Sequence, residues 1–198
     1  MNYHLPAPIE TARLTIRLIE AGDLDALFVH HNDPITTRYI PHVRWATRAD
    51  AEPWFARVLQ RREAQSAVQC VIVKRATTEE PESIAGTVML FNFDEASGLA
   101  ELGYLLGSAY CGQGYATEAV TAFIDFAFTD PNSTGPSTGL GLRSLEAVVD
   151  ARNDASNRLA ERLGFAREGV LRERWLADGE LPDVHLFALL KREWRRNA

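Results

Sequence analysis

Two glycines one residue apart, Gly112 and Gly114, stand where an apolar run gives way to a helical one, in the stretch Glu101 to Ala119 (ELGYLLGSAYCGQGYATEA). Glycine allows a tight turn there and lets a ligand approach the backbone closely. Successive N–H groups then converge at the positive end of a helix dipole, which makes a main-chain site for an anion such as a pyrophosphate. Two better-known phosphate loops do not fit. The dinucleotide fingerprint G-x-G-x-x-G needs glycine where this chain has Thr117, and the Gly-Lys-Ser/Thr ending of the P-loop occurs nowhere. Taken alone, the turn also reads as a glycine-rich entry into a helix with no ligand.

The elements around this turn follow from hydrophobic periodicity. Arg13 to Leu18 alternates polar and apolar, as a half-buried strand does, after a lead-in over residues 1–11 broken by Pro6 and Pro8. A helix is expected over 20–31, capped by Asp23, and another from Arg48 to Ala64 with Trp54, Phe55, Val58 and Leu59 on one face. The Pro34 and Pro41 stretch between them reads as loop or broken helix. Val68 to Val73, Ile84 to Phe93 and Ala100 to Leu106 form an antiparallel meander, with Gly86 a bulge or a point of close approach. The helix after the glycine turn runs from Ala116 to Phe128. Residues 129–141, rich in Gly, Ser, Thr and Pro, read as a mobile loop. A strand (Leu145 to Val149), a helix (Asn153 to Leu163, ended by Gly164) and two closing strands (Phe165 to Leu171, Val184 to Leu190) complete the chain.

This order argues for one α/β domain, 1–198, on a mixed sheet. Its 198 residues, 46% hydrophobic and 24% charged, are of globular composition, which excludes disordered, collagen-like and coiled-coil classes. A net charge of −6 argues against a general nucleic-acid binder. Two cysteines, Cys70 and Cys111, are too few for an ordinary zinc site or a disulfide framework, so no metal and a reducing compartment are expected. Without an apolar segment of signal or spanning length, the reading is a cytoplasmic protein with no membrane partner.

Five motifs in register give the glycine turn its meaning. They are Glu10-Thr11 with Arg13-Leu14 and Ile16-Arg17, the strand ELGYLL, the loop GQGYATEA, Asn153 with Ser156-Asn157, and Leu163-Gly164-Phe165 followed by Glu168-Gly169 and Asp183. Together they resemble the GNAT acyl-CoA N-acetyltransferase superfamily over nearly the whole chain, most closely the branch of the ribosomal-protein N-terminal acetyltransferases. One position departs from the wider superfamily: Ala109 stands three residues before the first loop glycine, where Gln or Arg is frequent.

The resemblance implies a mixed, largely antiparallel sheet of about six or seven strands flanked by about four helices. A V-shaped splay between its two central strands is part of the same expectation. It implies acetyl-CoA as co-substrate, an amine acceptor, and direct transfer of the acetyl group. The diphosphate would rest on N–H groups from Gln113 to Thr117. The peptide-like pantetheine arm would add to the strand ending at Leu105-Leu106, and a backbone N–H near Leu105 would meet the thioester carbonyl as an oxyanion hole. Cofactor contacts are thus expected at Leu105, Leu106, Gly107, Gly112, Gln113, Gly114, Tyr115, Ala116, Thr117, Asn153 and Asn157. The acceptor is read by analogy with the branch as a protein N-terminal α-amine, with a small-molecule amine or a non-catalytic acyl-CoA sensor as alternatives. A second copy of the chain is the protein partner this reading admits.

Transfer needs an acid for the departing sulfur and a base for the ammonium proton. Ser156 matches a serine to which the acid role is ascribed in the branch, and otherwise reads as a first-turn helix serine. Glu101, on the strand beside the thioester site, is the base candidate, because burial there would raise its pKa. The branch's catalytic glutamate falls at Trp175 here and does not carry over, while Glu173 and His185 are weaker candidates. Cys111 has no neighbour that would make it a thiolate. Glu118 is explained by the helix dipole. Arg143, Arg152, Arg158 and Arg162 could meet the 3′-phosphate, though solvated charge explains most of them. Tyr39, His42, Trp45 and Trp54 lie where the branch builds its acceptor wall.

Overall fold

The computed structural model describes residues 7–41, 44–133, 139–177 and 179–194. Its strands are β1 (Ile9–Glu10), β2 (Leu14–Leu18), β3 (Ala67–Lys74), β4 (Ser83–Asp94), β5 (Leu99–Leu106), β6 (Ser144–Asp150), β7 (Ala166–Leu171) and β8 (Val184–Leu190). The helices are α1 (Leu24–Asn32), α2 (Pro34–Thr37), α3 (Ala51–Glu63), α4 (Tyr115–Phe128) and α5 (Asp154–Arg162). One sheet runs in the order β1-β2-β3-β4-β5-β6-β8-β7, and every neighbouring pair is antiparallel except β5 with β6. Eight strands exceed the six or seven expected. The extra one, β1, is a two-residue strand paired to Thr15 and Ile16, too short to leave a periodic signal.

The sheet carries two apolar layers. On one face Leu14, Ile16, Cys70, Ile72, Val88, Leu90 and Leu102 pack under Val120, Phe123, Ile124 and Ala127 of α4, with Ala160 of α5 in the same cluster. On the other, Val71 and Val73 meet Leu24 and Leu27 of α1, Ala51 of α3 and Trp45. β3 is therefore apolar on both faces and reads as a continuous β-branched run. Full burial of a side chain such as Phe123 contributes about 1.5–3 kcal/mol.

Two local expectations change. Asp23 does not cap α1 with its side chain. A 3-10 turn precedes the helix, and the Asp23 carboxylate instead accepts two bonds from Arg17, at 2.8 and 2.7 Å, and one from the Glu20 N–H. Leu59, placed on the apolar face of α3, is 43% exposed. The middle of the expected mobile loop, residues 134–138, lies outside the described residues. Its far end is tied back to α4, with Leu140 and Leu142 buried and their N–H groups bonded to Phe126 and Ala127.

Candidate active site

The one parallel pairing opens the site. β5 and β6 are in register only from Leu99↔Ser144 to Glu101↔Glu146, and beyond that point both strands run on without pairing to each other. The V-shaped splay lies here, and its arms are the rest of β5 and of β6. On the far side of β5, Gly86 meets the strand so closely that a Cβ would stand 2.0 Å from the Leu105 carbonyl oxygen. The register shift between Ile72 and Val73 falls opposite the same place, so Gly86 serves both readings given to it, bulge and close approach. The Gly107 N–H bonds the Ala85 carbonyl. N–H groups alternate in direction along a strand, so those of Leu102, Tyr104 and Leu106 face the opening on either side of Leu105.

A cavity of about 860 Å³ is lined from both faces of the sheet. On the α4 and α5 side its wall includes Tyr104, Val120, Asn153, Ser156 and Leu159. On the α3 side its floor is Gln69, Thr87, Met89, Glu101 and Leu105, and its wall includes His31, Trp45, Trp54 and Trp175. Since the two sets meet only through the splay, the cavity passes through the sheet there.

The glycine turn lies at the end of β5. Gly112 and Gly114 have φ of +75° and +82°, which only glycine adopts without strain, and α4 begins at the next residue. Among the described residues no acceptor takes the N–H groups of Gly112, Gln113, Gly114, Tyr115, Ala116 or Thr117; the first helical bond is from Glu118 to Gly114. A Cβ at Gly112 would meet nothing within 4 Å. A run of free donors at a helix N-terminus, with open space before it, suits a diphosphate.

Arg13 and Glu118 brace this turn from behind. The Glu118 carboxylate accepts from Thr11 Oγ1 at 2.6 Å, Arg13 N at 2.8 Å and Arg13 Nε at 2.7 Å. Burial alone would raise its pKa, but these bonds outweigh burial and hold the carboxyl below its ordinary range. Arg13 also donates to the Gln113 carbonyl at 2.9 Å and lies 4.4 Å from the centre of the Tyr115 ring. Glu118 thus does more than answer the helix dipole. Arg162 approaches Thr117 Oγ1 at 3.5 Å, the position from which it could reach a phosphate.

Ser156 sits in the first turn of α5. Asn153 caps that helix, its Oδ1 accepting from the Ser156 N–H at 3.1 Å, and the residue itself lines the cavity. The Ser156 hydroxyl accepts a bond from the Tyr104 hydroxyl at 2.9 Å, so its own proton is free to be given away. Burial pushes the Tyr104 phenol up and the bond to Ser156 only partly opposes this, so Tyr104 stays protonated. Sequence reasoning missed Tyr104; its even position on β5, on the face that α5 covers, was the available signal.

Asn157 is buried and fully used. Its NH₂ donates to the carbonyls of Asp150 and Asn153, at 3.0 and 2.8 Å, and its Oδ1 accepts from His185 Nδ1 at 2.7 Å. Leu106 and Gly107 likewise do not line the cavity, Gly107 lying against His30. The sequence-derived residues therefore fall into three groups. Glu101, Leu105, Asn153 and Ser156 line the cavity. Residues 112–117 make the turn. Leu106, Gly107 and Asn157 stand behind.

Glu101 lies on the cavity floor and accepts from Asn92 Nδ2 at 2.9 Å. Burial raises its pKa; the Asn92 bond opposes, and Glu146 across the parallel pairing adds to the rise. Glu173 and His185 are outside the cavity, whereas Trp175 is in it, with its indole Nε1 buried and without a hydrogen-bond partner among the described residues. Burial and the neighbouring Asp33 raise the Cys111 thiol, which agrees with no thiolate role. His42 lies outside the described residues. Trp45 and Trp54 pack with His31, at ring-centre distances of 4.1 and 5.6 Å, and line the cavity as well as the core. Among the described residues no helix is long and apolar enough to cross a membrane.

Residues 13–166 match the family model described as an acetyltransferase (GNAT) domain. The chain is 35% identical over 185 residues to the uncharacterized N-acetyltransferase p20 of Bacillus licheniformis, with 93% of this chain and 96% of that protein covered. Among solved structures it is similar to the ribosomal-protein-S5-alanine acetyltransferase of Vibrio fischeri, at 25% identity and a TM-score of 0.76, covering 96% of this chain and 99% of that one. It shares its fold with spermidine N-acetyltransferase of Vibrio cholerae, solved with CoA and spermine, at 21% identity and a TM-score of 0.76, covering 93% and 99%.

Proposed function

The chain belongs to the GNAT acetyltransferase family and is an N-acetyltransferase, and from that premise we propose that its acceptor is a protein N-terminal α-amine. The observation that carries the reading is a cavity through the sheet, with a main-chain anion turn beyond one side and a half-buried carboxylate on the floor of the other. The likeness to a ribosomal-protein acetyltransferase supports the choice of a protein N-terminus.

Acetyl-CoA, when bound, supplies the thioester carbonyl. N–H groups of residues 112–117 would hold its diphosphate, and Asn153 would bond the pantetheine arm along β5. The N–H group of Tyr104, next to Leu105, would donate to the carbonyl oxygen as negative charge gathers there. Asn157 acts from behind, fixing the turn that carries Asn153 and Ser156. Glu101 takes the proton that the acceptor ammonium must lose before its nitrogen can attack, and its raised pKa brings it nearer the operating pH. Ser156 gives its proton to the departing sulfur and takes the Tyr104 proton along the bond between them, and the phenol, which lines the cavity, regains a proton from solvent.

Purified protein with acetyl-CoA and a panel of N-terminal peptides, polyamines and amino acids tests this by thiol release. Faster release with peptides supports the reading. Release only with polyamines or amino acids moves the acceptor to a small molecule, and no release with any amine reduces the chain to an acyl-CoA-binding module.

A further inference from the structure

The acceptor side of the cavity has an electrostatic asymmetry that the transfer chemistry does not require. Arg44, Arg57 and Arg61 line it. Among the described residues no carboxylate lies within ion-pair distance of any of the three. Arg57 and Arg61 are four residues apart on α3, where like charges repel, and Trp54, three residues before Arg57, carries the same helix face to the cavity. The whole chain is anionic, at −6, so three cations on one side of the cavity with no carboxylate partner among the described residues are a local concentration against the overall balance. The acids that line the cavity are committed elsewhere. Asp50 accepts from Ala46 N and Thr47 N, Asp150 pairs with Arg152, and Glu101 sits on the floor where the amine must arrive.

Trp175 is a second, independent observation. Its indole N–H is buried with no partner among the described residues, and its ring lines the same cavity. An indole can only donate, and a buried donor left unpaired calls for an oxygen from outside the protein. Cations and a free donor on the wall, with a carboxylate on the floor, describe the complement of a molecule that is cationic at one end and anionic at the other.

We infer that the acceptor carries a carboxylate close to its reactive amine, and that Arg57 and Arg61, with Arg44 beside them, select it. This deepens the proposed function and rests on it. The carboxylate could be an acidic side chain following a peptide N-terminus or the carboxylate of a free amino acid. Either is favoured over a polyamine, whose remote ammonium groups the arginines would repel.

The test compares kcat/KM for three peptides differing only at residues two and three (Asp-Glu, Ser-Gln or Lys-Arg), together with free glutamate and spermidine. The variants are R57Q/R61Q, Trp175→Phe and, as a control on the distant surface, R192Q. The acidic peptide should exceed the neutral one by about tenfold at low salt, and the ratio should shrink as ionic strength rises. R57Q/R61Q should bring the ratio near one, while R192Q keeps it. Trp175→Phe should raise the acceptor KM and leave the acetyl-CoA KM in place. Glutamate turned over with the same dependence on Arg57 and Arg61 supports the inference with a small-molecule source. Basic peptide or spermidine as good as the acidic peptide, or an unchanged ratio in R57Q/R61Q, overturns it while acetyl transfer stands. No thiol release with any acceptor overturns the acetyl-transfer reading instead.

Discussion

The two sides of the cavity are built from different materials. On the α4 and α5 side, the groups proposed to meet acetyl-CoA are main-chain N–H groups of residues 112–117, beyond the cavity's edge, and a capped helix turn at Asn153 to Ser156. On the α3 side they are side chains: Glu101, Trp54, Trp175 and three arginines. A main-chain site constrains sequence through backbone conformation, so it leaves glycines at fixed spacing. A side-chain site constrains only what projects into the space, and the projecting residues come from β5, α3 and two loops far apart in the chain. One half can therefore serve one invariant carrier, while the other can change its acceptor residue by residue without disturbing the fold.

The sharpest way to separate the halves is to break the main-chain side. Gly114→Val puts a β-branched side chain at φ +82°, with its Cβ 3.3 Å from Arg13 Nη2. A non-glycine residue there is strained by about 1–2 kcal/mol. The contact falls on the side that Arg13 braces, so relieving it would pull the N–H groups of residues 112–117 out of their shared orientation. CoA affinity, read by calorimetric titration, should fall by about 100-fold or more, equivalent to about 2.7 kcal/mol. The melting temperature should drop by only a few degrees. Wild-type affinity in this variant would refute the loop assignment.

The chemistry between the halves comes next in size. Ser156→Ala should lower kcat by about 100-fold, the lower end of the range for general acid catalysis. The acetyl-CoA KM should move less than about threefold if the hydroxyl acts mainly in the transition state. Tyr104→Phe keeps the ring in the core and removes only the bond to Ser156. Its loss should be smaller, about tenfold, and the Ser156→Ala/Tyr104→Phe pair should show less than the product of the two, because they act on one proton path. Full turnover in Ser156→Ala would remove that residue from the mechanism.

The same contrast decides what the sequence could disclose. The meander, α4, α5 and the glycine turn all announce themselves through alternation, 3.6-residue periodicity or glycines in required conformations, and Gly164 ends α5 at φ +88° as a C′ glycine does. What escaped is non-local. β8 inserts between β6 and β7, an order that no local pattern encodes. Tyr104 reads as one apolar residue in ELGYLL until α5 folds over it and supplies Ser156. Asn157 carries the motif, yet its amide is spent on the Asp150 and Asn153 carbonyls and on His185, which only the packed turn reveals. Arg57 and Arg61 look like a solvated helix face until the opposite wall of the cavity is in place.

On the acceptor floor, Glu101→Gln should separate rate from stability. Folding raises the Glu101 pKa, chiefly by burial. The folded chain therefore binds a proton more tightly than the unfolded chain, and this carboxyl's contribution to stability declines as pH rises from its ordinary value through the raised one. At pH 7 the ionised group is a burden, so the glutamine variant should melt no lower than wild type. Its rate should fall by about tenfold, within reach of the loss of one base. The wild-type rate should rise with pH through the raised pKa of Glu101, and the variant should lack that limb. A variant with the same limb would assign the base elsewhere.

The smallest effect concerns the joint between the halves. Asp33 begins α2, on the acceptor side, accepting from Ile35 N at 2.9 Å and Thr36 Oγ1 at 2.6 Å. The Thr36 hydroxyl in turn accepts from the N–H of Ser108, in the turn that leaves β5. Hydrogen bonds from Ser108 and Thr36 lower the carboxyl from 3.8 to about 2. A depressed carboxyl stabilises the folded chain above its unfolded pKa and loses that contribution as pH falls through the folded one, so the window runs from about 4 down to about 2. Because Asp33 is only partly buried, the contribution is small, well under about 1 kcal/mol after screening. Asp33→Asn should melt about 1–3 °C below wild type at pH 6, and the gap should close between pH 4 and pH 2. A gap that widens as the solution is acidified would mean that this joint is held by something other than the ionised carboxylate, and that the two halves of the cavity are coupled only through β5 itself.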